Sequence, residues 1–200
     1  MLCYFLSVQP HRKSPSPDGD PRPFPSPILT FARDDFIKAN LASTATNDNG
    51  IASYALYWVL SLIDYYDYTG DAATLNGYIT NAEAILDHAY AVYGTNPSLG
   101  FYGWDERLGA GFEKPNCMEA QNAYKMLSIR SWNLFAAAMG AFGRTDLQAK
   151  YRGYVNEKMA ALRQNSAWYQ GFGLHACADA ADTGLLNSSE NRPSSMPPGS

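Results

Sequence analysis

One long stretch of the chain carries the residue types that sugar chemistry requires. It reads NPSLGFYGWDERLGAGFEKP from residue 96 to residue 115, and it sets aromatic rings beside carboxylates and an arginine. Flat aromatic faces suit the C–H side of a sugar ring, whereas charged forks bind neighbouring hydroxyls. A loop of this length is uncommon in a compact domain unless it is functional. The stretch is therefore the first candidate for a functional site.

The carboxylates of this stretch are candidates for glycosidic bond cleavage. Such cleavage needs one carboxyl to protonate the leaving oxygen and a second carboxyl to activate water or to attack. We assign Asp105 and Glu106 as the catalytic candidates. The predicted substrate-binding residues are Trp104, Arg107, Tyr102, Glu113, Trp168 and His175.

A purely structural interpretation of the same residues stands beside the functional one. Trp104 would then fill the opening of the fold, and Arg107 would pair with Asp105 or Glu106 to hold the turn. His175 and Cys177 form an HxC pair, for which core packing is the favoured interpretation. Cys3, Cys117 and Cys177 are distant and odd in number, so the sequence predicts neither a disulfide framework nor a metal site.

Two kinds of helix alternate in the chain that must position these residues. Residues 50–68 and 118–142 contain runs that are apolar on nearly all sides, which predicts buried helices. Residues 72–93 and 145–163 have one apolar stripe, which predicts helices with a wet face. A fifth helix is predicted to begin near residue 172 or 173 and to include His175.

Glycines and capping residues mark where these helices end and begin. Gly70 and Gly143 follow helices as C-cap glycines do, and Asp71 is a good N-cap for the second helix. The run TDLQ at 145–148 predicts a capping box with Thr145 as the N-cap. The buried and one-sided helices are thus joined by tight turns.

This alternation predicts an all-α fold in two layers. The long connections 94–117 and 164–171 would then gather beside the N-termini of the inner helices, where partial positive charge suits carboxylates and sugar hydroxyls. Buried positions are predicted at Trp58, Leu60, Leu134 and Ala138, and exposed positions at Glu83, Asp87 and Glu157.

Composition divides the chain into three parts, and its charge argues against two classes of binding partner. Seven of the twelve prolines lie between residues 10 and 27, so we predict an extended arm at 1–31, a folded body at 32–186 and a frayed tail at 187–200. The net charge is −4 with scattered basic residues, which argues against nucleic acid and an anionic membrane surface as partners.

Four short runs give the body a family resemblance. They are SYALYW at 53–58, DYYDYTGD at 64–71, GWD at 103–105 and GLHACAD at 173–179. Together they resemble bacterial α-L-rhamnosidases and other six-hairpin glycosidases, over about residues 34–186. The YTGD run marks a helical hairpin and carries no chemistry itself.

The resemblance implies a partial (α/α)6 toroid of about two and a half helical hairpins. It implies hydrolysis of terminal sugars on glycans, with neither metal nor organic cofactor, and it places Trp104 and Asp105 in the substrate-binding wall. In the family the proton donor lies upstream of the YTGD hairpin and the second carboxylate lies well downstream, and neither has a counterpart here. Glu106 begins a run, ERLG, that resembles the upstream motif but follows the hairpin.

These implications lead us to expect a fragment of the catalytic domain, with a carbohydrate partner and self-association through exposed inner helices. Two alternatives remain open. The first is a sugar epimerase or unsaturated uronide hydrolase on the same toroid, although an epimerase would use cavity histidines and His175 is the one candidate. The second is a non-catalytic module that binds carbohydrate or another helical protein.

Overall fold

All regular secondary structure in the described residues is helical. The computed structural model describes residues 34–45, 51–95, 118–182 and 184–186. Within these ranges the helices are α1 Asp34–Thr44, α2 Ala52–Thr69, α3 Ala72–Ala91, α4 Met118–Ala141, α5 Thr145–Arg163 and α6 Leu174–Asp182. The predicted all-α class is confirmed for this part of the chain, and the helices predicted after residue 50 are all present. The proposed arm at 1–31 and tail at 187–200 lie outside the described residues.

The two kinds of helix differ in burial as their sequence patterns predict. Helix α2 is buried on all sides from residue 56 to 63, and α4 is buried on all sides from residue 126 to 132. Helix α3 buries one stripe, and α5 buries Leu147, Tyr151, Val155 and Met159 at intervals of four residues. The described helices therefore form an enclosed layer and a layer with one wet face.

Contacts along the helices give their directions. Glu119 lies against Gly173 at the starts of α4 and α6, while Arg130 reaches Asp182 at the end of α6, so these two helices run the same way. Tyr66 near the end of α2 contacts Phe142 just after α4, with ring centroids 5.9 Å apart. The inner helices α2, α4 and α6 thus share one direction.

The outer helices run in the opposite direction. In α1, Lys38 pairs with Asp71 beyond the end of α2, whereas Leu41 lies beside Trp58 in the middle of α2. Ion pairs and ring contacts join residues 83–90 of α3 to residues 150–157 of α5 in the same order. Helices α1, α3 and α5 are therefore parallel to one another and antiparallel to the inner layer.

Two buried tryptophans connect the layers. The indole Nε1 of Trp58 in α2 donates to the Leu41 carbonyl of α1 at 3.0 Å. The indole Nε1 of Trp132 in α4 donates to the Leu86 carbonyl of α3, also at 3.0 Å. Each bond satisfies a polar atom that burial would otherwise leave without water.

The hairpin between α2 and α3 is closed as predicted. Gly70 has φ 68° and its N–H donates to the Tyr66 carbonyl, which is the left-handed C-cap geometry that glycine adopts without a Cβ clash. Asp71 then caps α3 by accepting from the Thr74 N–H at 2.9 Å. Gly143 has φ 88° and ends α4 in the same way.

The Asp71 carboxylate also joins three helices. It accepts from Lys38 of α1 at 2.9 Å, from the Tyr65 hydroxyl of α2 at 3.2 Å and from the Thr74 hydroxyl at 2.6 Å. Lys38 first, and then the hydroxyl and the N–H of Thr74, hold the pKa of Asp71 well below its ordinary value of 3.8. The last residue of the YTGD run is therefore a structural junction.

A capping box at Thr145 was the wrong prediction. Arg144 is the N-cap of α5, it makes no side-chain capping bond, and Thr145 already lies within the helix. Instead, the Arg144 guanidinium donates to both oxygens of Asp146 at 3.0 and 2.9 Å and lowers the pKa of Asp146 to about 2. A carboxylate held in the first turn stabilises the helix start through the helix dipole.

Most burial predictions are confirmed, and three are wrong. The confirmed positions are the buried Trp58, Leu60 and Ala138 and the exposed Glu157. Leu134 is half-buried, because it shares a face of α4 with the exposed Ala137 and Ala141.

Glu83 and Asp87 are half-buried rather than exposed. Both face α5, where Lys150 Nζ lies 3.4 Å from Glu83 and 2.8 Å from Asp87. The side chains opposite the apolar stripe of α3 therefore meet a neighbouring outer helix, and the wet face is narrower than its sequence pattern indicates.

Aromatic rings complete this seam between α3 and α5. Tyr90 and Tyr154 stack with centroids 3.9 Å apart, and Lys158 Nζ lies 4.0 Å from the Tyr90 ring centroid. The Tyr90 hydroxyl donates to Glu157 at 2.6 Å. The high tyrosine content of the chain is thus partly used to join outer helices.

Gly153 in the middle of α5 offers a test of the outer layer. It is exposed and a Cβ placed there meets nothing within 4 Å, so Gly153→Ala should raise the free energy of unfolding by about 0.5–1 kcal/mol through helix propensity. Urea unfolding followed by circular dichroism measures the change. A destabilised Gly153→Ala would mean that this face of α5 is covered.

Candidate functional site

The inner helices begin at one end of the bundle, which we call the mouth. Glu119 in the first turn of α4 lies against Gly173, the residue before α6. Gly94, just after α3, lies beside Lys125 in the first half of α4. The two described residues that flank the stretch 96–117, Thr95 and Met118, are therefore both at the mouth.

Six of the eight predicted site residues lie outside the described residues. They are the catalytic candidates Asp105 and Glu106 and the binding candidates Tyr102, Trp104, Arg107 and Glu113. Their assignments remain predictions from sequence. The other two, Trp168 and His175, are described and lie on the α5–α6 side of the mouth.

Trp168 lies in the connection between α5 and α6 and is buried. It is 7% exposed, and its ring packs edge-on against Tyr169 and Phe172 at centroid distances of 5.8 and 5.6 Å. Little of the indole surface is left to contact a ligand. Trp168 thus anchors the connection that leads into α6.

His175 and Cys177 do not share the core environment predicted for them. Helix α6 turns Ala176 and Ala180 inward, which leaves His175 half-buried and Cys177 exposed. Core packing of Cys177 was therefore wrong, because in a helix its side chain points about 100° away from that of Ala176. Desolvation raises the pKa of the Cys177 thiol, which is the opposite of the shift that activates a cysteine nucleophile.

A buried ion-pair cluster links α4 to α6 below the mouth. Arg130 of α4 donates through one terminal nitrogen to Asp179 at 2.8 Å, and its other terminal nitrogen lies 2.7 Å from Asp182. The side chains of Arg130 and Asp179 are 9% and 8% exposed, and that of Asp182 is 34% exposed. We call these three residues the Arg130 cluster.

Burial dominates the electrostatics of Asp179. It raises the pKa of this carboxyl to about 6, while the charges of Arg130 and His175 act in the opposite direction. Removing an ion pair from water often costs more than the attraction returns. Asp179 is one turn from His175 on α6, so the described candidate His175 lies next to this cluster.

The sequence held a signal for the Arg130 cluster that the prediction missed. Arg130 is the single charged residue in the run MLSIRSWNLF at 126–135. A charged side chain in the middle of an enclosed helix requires a partner of opposite charge on a neighbouring element. The GLHACAD run at 173–179, predicted to form an inner helix, supplied that partner in Asp179.

Glu119 is a second mouth residue that the prediction did not include. Its carboxylate occupies the position where a Cβ of residue 173 would lie, directly before α6. A negative charge at this place is favoured by the partial positive charge of a helix N-terminus. The absence of a side chain at Gly173 therefore leaves room for the Glu119 carboxylate at the start of α6.

The described residues do not point to a metal or a membrane. In residues 34–45, 51–95, 118–182 and 184–186, no group of three or more His, Cys, Asp or Glu side chains is arranged to hold a metal ion. None of the described helices is long and apolar enough to cross a bilayer.

Comparison with known proteins adds no family assignment. No protein-family model, curated protein or solved structure matches the chain. The resemblance to α-L-rhamnosidases consequently rests on the four short runs alone.

A double-mutant cycle tests the contact between Glu119 and Gly173. Gly173→Ala should lower the free energy of unfolding by about 0.5–1 kcal/mol, because the added methyl displaces the Glu119 carboxylate from the start of α6. In a Glu119→Ala background the same substitution should cost little. Equal costs in both backgrounds, measured by urea unfolding, would contradict the contact. Gly77→Ala, inside α3 with nothing within 4 Å of the added Cβ, should instead raise the free energy of unfolding, as expected for Gly153→Ala.

Proposed function

We propose that this chain is part of an α/α toroid that binds terminal sugars at its mouth, in the manner of the α-L-rhamnosidase-like glycosidases. The observation that carries the proposal is the shared direction of the inner helices α2, α4 and α6. Their N-termini form one face, and the stretch rich in aromatic and carboxylate residues leaves and rejoins the described chain at that face.

The layering supports a ring rather than a simple bundle. In an up-down four-helix bundle every helix is one-sided, whereas here α2 and α4 are enclosed and lie between antiparallel outer helices. Helix α6 has an outward face with Ala178 and Ala181 exposed among the described residues. In the proposed toroid a further inner helix would cover this face.

The chemistry of the proposed site comes from residues 102–113. Trp104 and Tyr102 would stack on the sugar ring, and Arg107 and Glu113 would bind its hydroxyls. Asp105 and Glu106 are neighbours in sequence, while cleavage needs two carboxyls about 5–10 Å apart on either side of the scissile bond. We therefore propose sugar binding by this stretch, with cleavage dependent on a second carboxylate from elsewhere in the ring.

A non-catalytic carbohydrate-binding module is the second candidate function. It is favoured by the state of the described carboxylates on α6, since Asp179 and Asp182 are both engaged by Arg130. The epimerase alternative has less support, because of the two histidines in the described residues His88 lies exposed on an outer helix and His175 alone lies on an inner one.

Removing the proposed stacking ring tests sugar binding. Trp104→Ala should weaken L-rhamnose binding about tenfold, which corresponds to about 1.4 kcal/mol, and should leave the Tm nearly unchanged. Isothermal titration calorimetry gives the affinity. Tyr68→Ala is the control, because Tyr68 is exposed near the opposite end of α2 and should keep full affinity. Unchanged binding by Trp104→Ala would refute the assignment.

Turnover separates an enzyme from a binder. We expect the purified chain to hydrolyse an aryl α-L-rhamnoside very slowly or not at all, because the two required carboxyls come from different hairpins in the proposed ring. The control is the double substitution Asp105→Asn with Glu106→Gln. Robust turnover that disappears in this control would make residues 96–115 a complete catalytic centre and contradict the proposed division of the site.

A further inference from the structure

Few of the described side chains of helix α6 are both apolar and buried. It is nine residues long, and its buried apolar side chains among those described are Ala176 and Ala180. A helix of this length is not stable on its own, so its formation depends on packing against neighbours. The ion pairs of Asp179 and Asp182 with Arg130 join α6 to α4 in addition to these apolar contacts.

The Arg130 cluster carries an excess of negative charge. One guanidinium faces two carboxylates at 2.8 and 2.7 Å, so the fully ionised cluster has a net charge of −1. The Arg130 and Asp179 side chains are buried, whereas Asp182 lies at the solvent-exposed edge of the cluster. One proton on a carboxyl makes the cluster neutral. The charged groups that act on Asp179 are Arg130 from α4 and His175 and Asp182 from α6.

We propose that the Arg130 cluster is a pH-sensitive clamp that docks α6 on α4 more tightly in weakly acidic than in neutral solution. The clamp carries His175 with it, because that residue is on the first turn of the same helix. The proposal is independent of the proposed sugar chemistry, since it involves neither a ligand nor residues 96–117.

The direction of the effect follows from proton linkage. Burial raises the pKa of Asp179 from 3.8 to about 6, so the docked helix binds a proton more tightly than the undocked one. The contribution of Asp179 to docking is therefore complete at pH values below its pKa in the undocked helix. It is lost as the pH rises through its pKa in the docked helix. Between pH 5 and pH 7.5 this predicts about a tenfold change in the opening equilibrium of α6.

Hydrogen–deuterium exchange of peptides covering 174–182 measures this opening. After correction for the intrinsic pH dependence of exchange, the protection should be about tenfold greater at pH 5 than at pH 7.5. Peptides from residues 56–63 of α2, which contain no carboxylate, histidine, lysine or arginine, serve as the internal reference. Equal protection at the two pH values, or greater protection at pH 7.5, would overturn the proposal.

Two variants assign the effect to the cluster. Asp179→Asn keeps an acceptor for Arg130 and removes the titrating group, so the pH difference should vanish. Asp182→Asn removes the excess charge and should raise the protection of α6 at pH 7.5. A pH difference that persists in Asp179→Asn would contradict the clamp. So would lower protection of α6 in Asp182→Asn, provided that circular dichroism shows this variant to be folded.

Two further variants exclude other titrating groups. His175→Gln should retain most of the pH difference, because it leaves Asp179 and its contact with Arg130 in place. Asp146→Asn is the matched surface control. Asp146 is an exposed carboxylate in the first turn of α5 and is paired with Arg144. The substitution should leave the exchange of α6 unchanged at both pH values; an effect as large as that of Asp179→Asn would show that overall charge is responsible.

Discussion

The constraint on which the rest of this structure depends is the enclosure of α2 and α4. A helix that is apolar on all sides must be surrounded, and one neighbour or one surface does not suffice. Flanking helices on both sides meet that requirement, and they in turn need only one apolar stripe each. The division into an inner and an outer layer therefore follows from the burial of two helices.

Enclosure also requires that buried polar side chains form hydrogen bonds within the bundle. Ser61 of α2 and Ser128 and Ser131 of α4 donate to carbonyls four residues earlier in their own helices. The two inner tryptophans donate instead to outer helices, and so fix the relative height of the layers. Buried hydrogen bonds thus select one alignment among several that hydrophobic burial alone would permit.

Charged clusters connect the helices at different depths. Asp71 joins α1, α2 and α3, and Lys150 joins the outer helices α3 and α5. Both clusters lie near water, where an ion pair contributes little to the free energy of folding. The Arg130 cluster lies inside, where an unpartnered charge would be costly. Of the three, it alone joins two inner helices.

The sequence by itself determined the five helices from α2 to α6, their order and the enclosure of α2 and α4, whereas α1 was not predicted. Apolar periodicity and the signals at Gly70, Asp71 and Gly143 depend on residues within a turn of one another, so they can be read without knowledge of distant contacts. Residue types also nominated Trp104, Asp105 and Glu106, but type and spacing do not position side chains relative to one another.

Only the tertiary structure decided which side chains meet. The half-burial of Glu83 and Asp87 depends on Lys150, more than sixty residues away, and the pairing of Arg130 with Asp179 spans 49 residues. The approach of Glu119 to Gly173 likewise depends on how two inner helices lie side by side. Such contacts are set by helix packing, because the local pattern fixes the face of a helix and not the neighbour that covers it.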